Sequence, residues 1–545
     1  MRKYHILIQA LITLFAVSSL NGQVDPETDL FDTIVVVKDL KLTIQEREPY
    51  ILRQAENEQP ETNQSYQQVS DLEEVDISYQ DPPLSINPIR YTQRLEKQGN
   101  DGLIKVGYGT PRAIDAKLLY TYHIEDWYQV GVKAGYSAAN NETVNDMNYK
   151  EWHTGIMGGY WLRPNLKVSI DTDFKRNNQG LYGHSYGEKP ILGNRTLQSI
   201  QNRIGINLSK YESIGLQLDA ILGYDAGQMI DLVDQQNHLF ANAHLAKTIW
   251  NDISLEVTAN VQSLSAWDAE NLSSFSVNPS LRYLQEDLAI EAGVYYVQYE
   301  GSPILWPKVK ASYAFSEQPI SLQVFSTLDT EFTSLINVIS ENPFVSIDDG
   351  TLAVGLTRQR IAGVNGTYTH TKFKATPYYQ FNIQNDVATY QREDITFAMQ
   401  LEDEIQSHTL GLRGEYAPHS TVSIGLNGYY NIYSDNIESN VSYLPLYGVE
   451  LSANQQFVKD RLMLSQSIHF GERTEGGSPI SSVTNQAFDS QILDLSASVN
   501  FKVFPNFWVY AEGNNLLLQD YEIWQGYAVF QPKAVFGIKY LIGQN

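Results

Sequence analysis

The chain has 545 residues, enough for several soluble domains or one large barrel, and carries a formal charge of −25 with 38 Lys and Arg against 63 Asp and Glu. That balance excludes a nucleic-acid binder, which needs clustered basic residues. The absence of cysteine excludes thiolate metal sites, thiol nucleophiles, disulfides and a lipid-modified N-terminal cysteine.

Residues 1–22 read as a secretory signal: Arg2 and Lys3 form a positive start, Ile6 to Val17 an apolar core, and Ser18 to Gly22 a small, polar exit before Gln23. Beyond it no apolar run approaches the roughly 18–20 residues of a spanning helix. Residues 23–100 hold 16 Asp and Glu against 7 Lys and Arg and are rich in Gln, Asn and Pro. This composition predicts a partly disordered segment on the periplasmic side or in a barrel mouth. Within it, Asp32-Thr33-Ile34-Val35-Val36-Val37 is a β-prone run, and Pro82, Pro83 and Pro88 lead toward a first strand near Gly102.

From there a period of two dominates. Ala116, Leu118, Tyr120, Tyr122 and Ile124 share one face, while Asp115, Lys117, Thr121 and His123 share the other with Leu119. After Glu125-Asp126 the alternation resumes, with Tyr128, Val130, Val132, Ala134 and Tyr136 against Gln129, Lys133 and Ser137. Two such runs of about ten residues predict an antiparallel hairpin, greasy on one face and wet on the other, long enough to cross a bilayer. The rhythm returns at Leu166–Phe174, Ile204–Leu208, Leu216–Leu222, Ile253–Val261, Leu288–Tyr296, Val309–Phe315, Val422–Ile432, Leu493–Val503 and Ala534–Tyr540. The expectation is an all-β fold, a transmembrane antiparallel barrel of about 22 strands over residues 101–545. A soluble propeller or sandwich is the alternative; propeller strands are shorter and their blades repeat a motif, which this chain lacks.

Thr330 to Asn342 breaks the pattern. Phe332, Leu335, Ile336 and Ile339 mark a short helical stripe ended by Pro343, a loop element or lumen plug. Turn chemistry predicts bends at Arg163-Pro164-Asn165, Asp348-Asp349-Gly350, Asn365-Gly366 and Glu475-Gly476-Gly477.

The phase also sorts the charges. Lys117, Lys133, Lys167, Asp171, Asp173, Asp219, Glu256, Glu291, Lys308, Lys310, Arg413 and Glu415 fall on the wet phase and are expected to face the lumen, where opposite signs pair across strands. Trp127, Trp152, Trp161, Trp250, Trp306 and Trp508 lie near strand ends and are expected to form an interfacial girdle. No HExxH, GxSxG, P-loop or EF-hand spacing is present, and the histidines are scattered apart from His238 and His244. No enzyme, cofactor or metal is expected, and Asp348-Asp349 reads as a solvated turn rather than a calcium site.

The C-terminal run Asn506-Phe507-Trp508-Val509-Tyr510-Ala511-Glu512-Gly513-Asn514-Asn515-Leu516-Leu517, with Asp520-Tyr521-Glu522, Gly526-Tyr527 and Phe536-Gly537-Ile538-Lys539-Tyr540, resembles the end of a TonB-dependent receptor barrel. The wording is specific over the last forty or so residues, and the pattern covers roughly 101–542. The resemblance implies an outer-membrane barrel in a Gram-negative bacterium, surrounded by lipid and inserted by the barrel-insertion machinery. It also implies a periplasmic TonB partner, for which Asp32 to Val37 is similar to a TonB box, although a lumen-lining or edge-pairing strand is the stronger reading of those residues. The chain departs from the family in two ways: the 78 residues of 23–100 are too few and too acidic for its plug domain, and Gly543-Gln544-Asn545 follows the final strand. The expected function is passage or binding of small solutes, gated by the N-terminal segment or a partner. The alternative is a non-conducting barrel that anchors a periplasmic or surface partner.

Overall fold

Alternating apolar and polar residues leave every strand with a face for hydrocarbon and a face for water. Because bilayer lipid offers backbone groups no partner, such strands must close on themselves. The computed structural model describes residues 101–543 apart from 125–126, 142–146, 182–192, 212–214, 231–234, 251, 267–270, 317, 347–353, 394–395, 435–442, 459–460, 475–490, 520, 526 and 529–532. The signal, the acidic segment 23–100 and the Asp32–Val37 run lie outside these residues, as do the predicted turns at Asp348-Asp349-Gly350 and Glu475-Gly476-Gly477.

Twenty-two strands form one antiparallel sheet. It closes where the first strand, Asp101–Thr110, pairs with the last, Lys533–Ile542, from Gly102↔Ile542 to Thr110↔Ala534. The predicted strand number stands. The outward phase is apolar, with Ile104, Val106, Leu118, Val130, Ile156, Leu222, Val261, Val324, Leu410 and Ile538 all exposed. The inward phase carries Lys105, Gln262, Gln323, Asn365, Thr409 and Asn500. No helix among the described residues is long and apolar enough to cross a membrane.

One rim is built of short turns, such as residues 164–165, 286–287, 371–372, 420–421 and 505–506, and the chain enters and leaves the barrel there. The opposite rim bears the long connections. By the usual rule of short periplasmic turns and long outer loops, the turn rim is periplasmic. At the loop rim one tight hairpin stands out: Glu300 and Gly301, with φ of 48° and 77°, join Tyr299 to Ser302.

The helical stripe becomes a single short helix, α1 (Leu335–Glu341). Ser334 caps it, its hydroxyl accepting from the Asn337 N–H at 3.1 Å. Asn365-Gly366, predicted as a turn, instead lies inside the strand Leu356–His370. Asn365 points inward and donates to Gln323 Oε1 at 3.2 Å, so pairing with the neighbouring strand overrides the local turn preference.

The ladder between Ser302–Ala314 and Ile320–Phe332 is incomplete. Their register runs only from Ala314↔Ser321 to Val309↔Ser326, while Ser302–Tyr313 is paired throughout with Leu288–Tyr299 and Ile320–Phe332 throughout with Leu356–Tyr368. Pro303 and Pro307 fall in the unpaired half. A proline contributes no N–H, and the chain shows the same effect on a smaller scale elsewhere. The ladder beside Pro279 skips from Val277 to Ser280, and the one beside Pro377 skips from Tyr378 to Ala375. Beyond the break, the burial phase changes. Leu322 and Val324 are exposed on the outward phase, yet Leu328, Phe332 and Leu356 on that same phase are buried. They pack with Leu264, Leu272 and Val297, which lie on the inward phase of earlier strands. The outer-rim ends of these two strands therefore tuck inside the wall, and the cylinder is lapped there rather than zipped.

Candidate functional site: a lidded lumen

Two structures define the lumen, a wall of paired charges and an aromatic lid. In the wall, Lys133 bridges Asp171 at 3.0 Å and also Asp173. Lys308 pairs with Glu291 and donates to Ser280 Oγ at 3.0 Å, and Arg282 lies 3.4 Å from Glu256. Lys310 stands opposite Glu291 in register, and Glu415 opposite Lys374. Lys167 sits 4.6 Å over the Trp161 ring and donates to Gln129 Oε1 at 3.4 Å. Arg413 lies 5.0 Å over Tyr378, Asp219 accepts from Asn207 and Gln217, and Lys117 is in register with Lys105. All twelve predicted charges thus lie on the inward phase; Lys308 and Arg282 meet their carboxylates across neighbouring strands, whereas Lys133 reaches over the intervening strand Asn148–Arg163 to Asp171 and Asp173.

The most enclosed pair is one that the sequence reading does not single out. Lys105 Nζ lies 2.7 Å from Glu512 Oε1 and 3.1 Å from Asp115 Oδ2, with Lys105 3% and Glu512 5% exposed. It reaches from the first strand over the last to Phe507–Asn514, and Lys105 also sits 4.6 Å over the Tyr510 ring. Extending the alternation of Ile104, Val106 and Tyr108 by one residue would have found it. Beside it Lys533 donates to Tyr149 Oη.

The six tryptophans divide. Trp127, Trp152 and Trp250 are exposed, Trp250 at a strand end. Trp161 and Trp306 instead hold cations over their rings on the inward phase, and Trp508 is buried against Leu103 and Leu541. The girdle expectation fails in phase for these three: indole is large and amphipathic enough to fill a lumen wall as readily as an interface. His238 and His244 face inward but do not meet, bonding Gln262 at 3.2 Å and Thr258 at 3.1 Å. Among the described residues, no three His, Asp or Glu gather as a metal site would require.

The lid lies at the loop rim and is assembled from four connections. Helix α1 buries Leu335, Val338 and Ile339 in one apolar cluster with Phe344, Val345, Tyr390, Phe397, Met399, Tyr443, Trp524 and Tyr527. The hairpin Val387–Glu393 and Thr396–Glu402 gains a further edge, since Phe397 N–H donates to Phe344 C=O at 3.1 Å and Ser346 N–H to Phe397 C=O at 2.7 Å. Phe344 stacks on Tyr527 at 3.5 Å between centroids, and Trp524 has Tyr390, Phe397 and Tyr443 around it at 5.0, 5.4 and 5.1 Å. Edge-to-face and stacked rings of this kind add to what their buried area contributes.

Polar pins fix this cluster to the wall. Arg195, on the inward side of Gly193–Tyr211, donates to the carbonyl of Pro343 at 3.0 Å and to that of Val345. Gln236 accepts from the Leu335 N–H. Ile336 approaches Gly227 so closely that a Cβ there would lie 2.8 Å from its Cγ1. The Tyr390 hydroxyl donates to Glu341 at 3.0 Å. Burial, and then the adjacent Glu341 carboxylate, hold that phenol well above its ordinary range. Beyond the helical stripe itself, these contacts are not legible in the sequence, because each joins segments far apart in the chain.

No family model matches the chain, and no curated protein matches its sequence. Its architecture has solved counterparts. The FrpB iron transporter from Neisseria meningitidis superposes with a TM-score of 0.61 at 9% identity, over 82% of each chain. The ferric enterobactin receptor PfeA from Pseudomonas aeruginosa, in complex with enterobactin, gives 0.61 at 10% identity over 82% of this chain and 81% of that one. The copper transporter OprC gives 0.58 at 10% identity over 82% and 83%. At such identities the likeness is one of fold: this chain's 22-strand antiparallel barrel is similar to the architecture of two metal transporters and a ferric enterobactin receptor.

Proposed function

We propose that this chain is a receptor-type barrel of a Gram-negative outer membrane that binds small solutes or lets them pass, with residues 23–100 or a partner protein as its periplasmic gate. The observation that carries the reading is the pairing of a polar, charge-lined wall with a pinned lid at the outer rim. An inert scaffold has no need of a water-compatible lumen, whereas a solute path needs one. The solved barrels of this fold include iron and copper transporters and a ferric enterobactin receptor, which supports transport rather than catalysis here. Asp32 to Val37 would supply the strand that a TonB-like partner pairs with. The inward charges, of both signs, would rigidify the wall rather than select one sign of ion.

Single-channel recording in planar bilayers tests this, with the mature chain and with residues 23–100 deleted. Conductance that appears or grows on deletion supports a gate in that segment. Silence in both forms, also after the lid is loosened, favours the second reading, an anchoring barrel. The nearly complete burial of Phe344, Phe397 and Trp524 speaks for that reading. Deleting Asp32 to Val37 without loss of solute uptake would remove the TonB coupling.

A further inference from the structure

The lapped stretch of wall has no part in an axial path, and the geometry points to a lateral port: a place where an apolar chain passes between the bilayer and the lumen. Three observations converge on it. Lateral closure there lacks the register that joins strands elsewhere, since no pairing extends from Val309↔Ser326 toward the outer rim, and Pro303 and Pro307 have no N–H with which to make it. Closure rests instead on side chains: Leu328, Phe332 and Leu356 lie against Leu264, Leu272 and Val297, and Arg360 sits 5.7 Å from the Trp306 ring. Side-chain contacts of this kind part without the loss of a ladder. Two buried polar atoms of this stretch, Trp306 Nε1 and Thr327 Oγ1, have no hydrogen-bond partner in the closed arrangement.

The height of the stretch identifies the ligand's chemistry. Leu305 and Pro307 are exposed on the outward phase, opposite Tyr296 and Val294 in register, so the port opens onto the apolar belt rather than above it. The surfaces that would line it are chiefly apolar, with Leu328, Phe332, Leu356 and the Trp306 ring on the path and Arg360 a cation beside it. A hydrocarbon chain fits such a path, and a hydrated ion does not. The tucked strand Ile320–Phe332 runs through Thr333 and Ser334 straight into helix α1, so movement of the lid draws on the port.

The test uses the full chain in proteoliposomes with two photoactivatable diazirine probes, a phospholipid labelled on its acyl chain and a free fatty acid, and maps the adducts by mass spectrometry. Adducts on Leu328 and Trp306, which lie behind the outer surface, are expected, at least about tenfold above those on Phe325, an inward residue of the zipped half of the same strand. Labelling by the phospholipid assigns the chain to bilayer lipid, and labelling by the fatty acid alone assigns it to a free amphiphile. Adducts confined to outward residues such as Leu305 overturn the port. Arg195→Ala, which releases a lid pin, is expected to raise the inner labelling severalfold. Should that variant fail to fold, amide exchange of the unaltered protein decides: faster exchange over Thr327–Phe332 than over Ser321–Ser326 supports the port, and equal protection overturns it.

Discussion

At the turn rim the barrel is bounded by connections of two to five residues, and the wall above them is held by charge. At the loop rim the described parts of four connections pack together over the lumen, and what holds them is aromatic packing with a few polar pins. The two regions differ in how their contacts are distributed. Outside the lapped stretch each wall strand is fixed by ladders on both flanks, so one side chain adds little to what the ladder already supplies. The lid has no such ladder around it, and its order rests on a handful of rings.

The sharpest way to break this contrast is Trp524→Ala, which removes the ring around which Tyr390, Phe397 and Tyr443 gather. Loss of a buried indole is expected to weaken the lid by about 3–5 kcal/mol. The hairpin within 387–402 should become cleavable by added protease while the barrel keeps its heat-modifiable gel mobility. Loss of that mobility would show lid and wall to be one unit. Next, Glu512→Ala leaves Lys105 buried with Asp115 as its remaining carboxylate, and should lower barrel stability by about 3 kcal/mol in urea-driven unfolding. Here the lid's protease resistance should be unchanged.

A smaller effect is expected from pH. The folded state holds the Tyr390 phenol well above its ordinary value of 10.0, so it binds that proton more tightly than the unfolded chain does. The contribution is therefore complete below pH 10 and declines as pH rises further. Lid protease resistance should be flat between about pH 6 and 9 and fall above about 10, and Tyr390→Phe should flatten the alkaline fall. The smallest effect belongs to Glu404→Gln. That carboxylate lies below its usual range chiefly through a hydrogen bond from Gln406, then one from Asn385 and the charge of Arg360, but it is exposed. No measurable change in unfolding is expected, and a clear one would show that the outer rim shares in the wall's charge network.

Much of the wall is legible in the sequence, because a strand's phase is written residue by residue. Lys133, Asp171 and Asp173 can be assigned inward from Val132 and Ile170 alone. The stripe of Leu335 and Ile339 likewise marks a helix. Position along the barrel and the role of a ring are not written that way. Trp161 and Trp306 carry the same local signals as Trp250, yet face inward because the count of residues from the strand's start sets their phase. Asn365-Gly366 shows a two-residue turn signal losing to two flanking strands. The lid and the lapped wall are illegible for a further reason, since both arise where loops and strand ends distant in sequence meet.

The two strands that close the barrel, Asp101–Thr110 and Lys533–Ile542, are the first and the last of the sheet. The first strand thus has no permanent neighbour on one side until the last has emerged, and for all of synthesis and export its open edge is exposed to other chains. This topology therefore sets a demand on folding: that edge has to be kept from pairing with other chains until the last strand joins it.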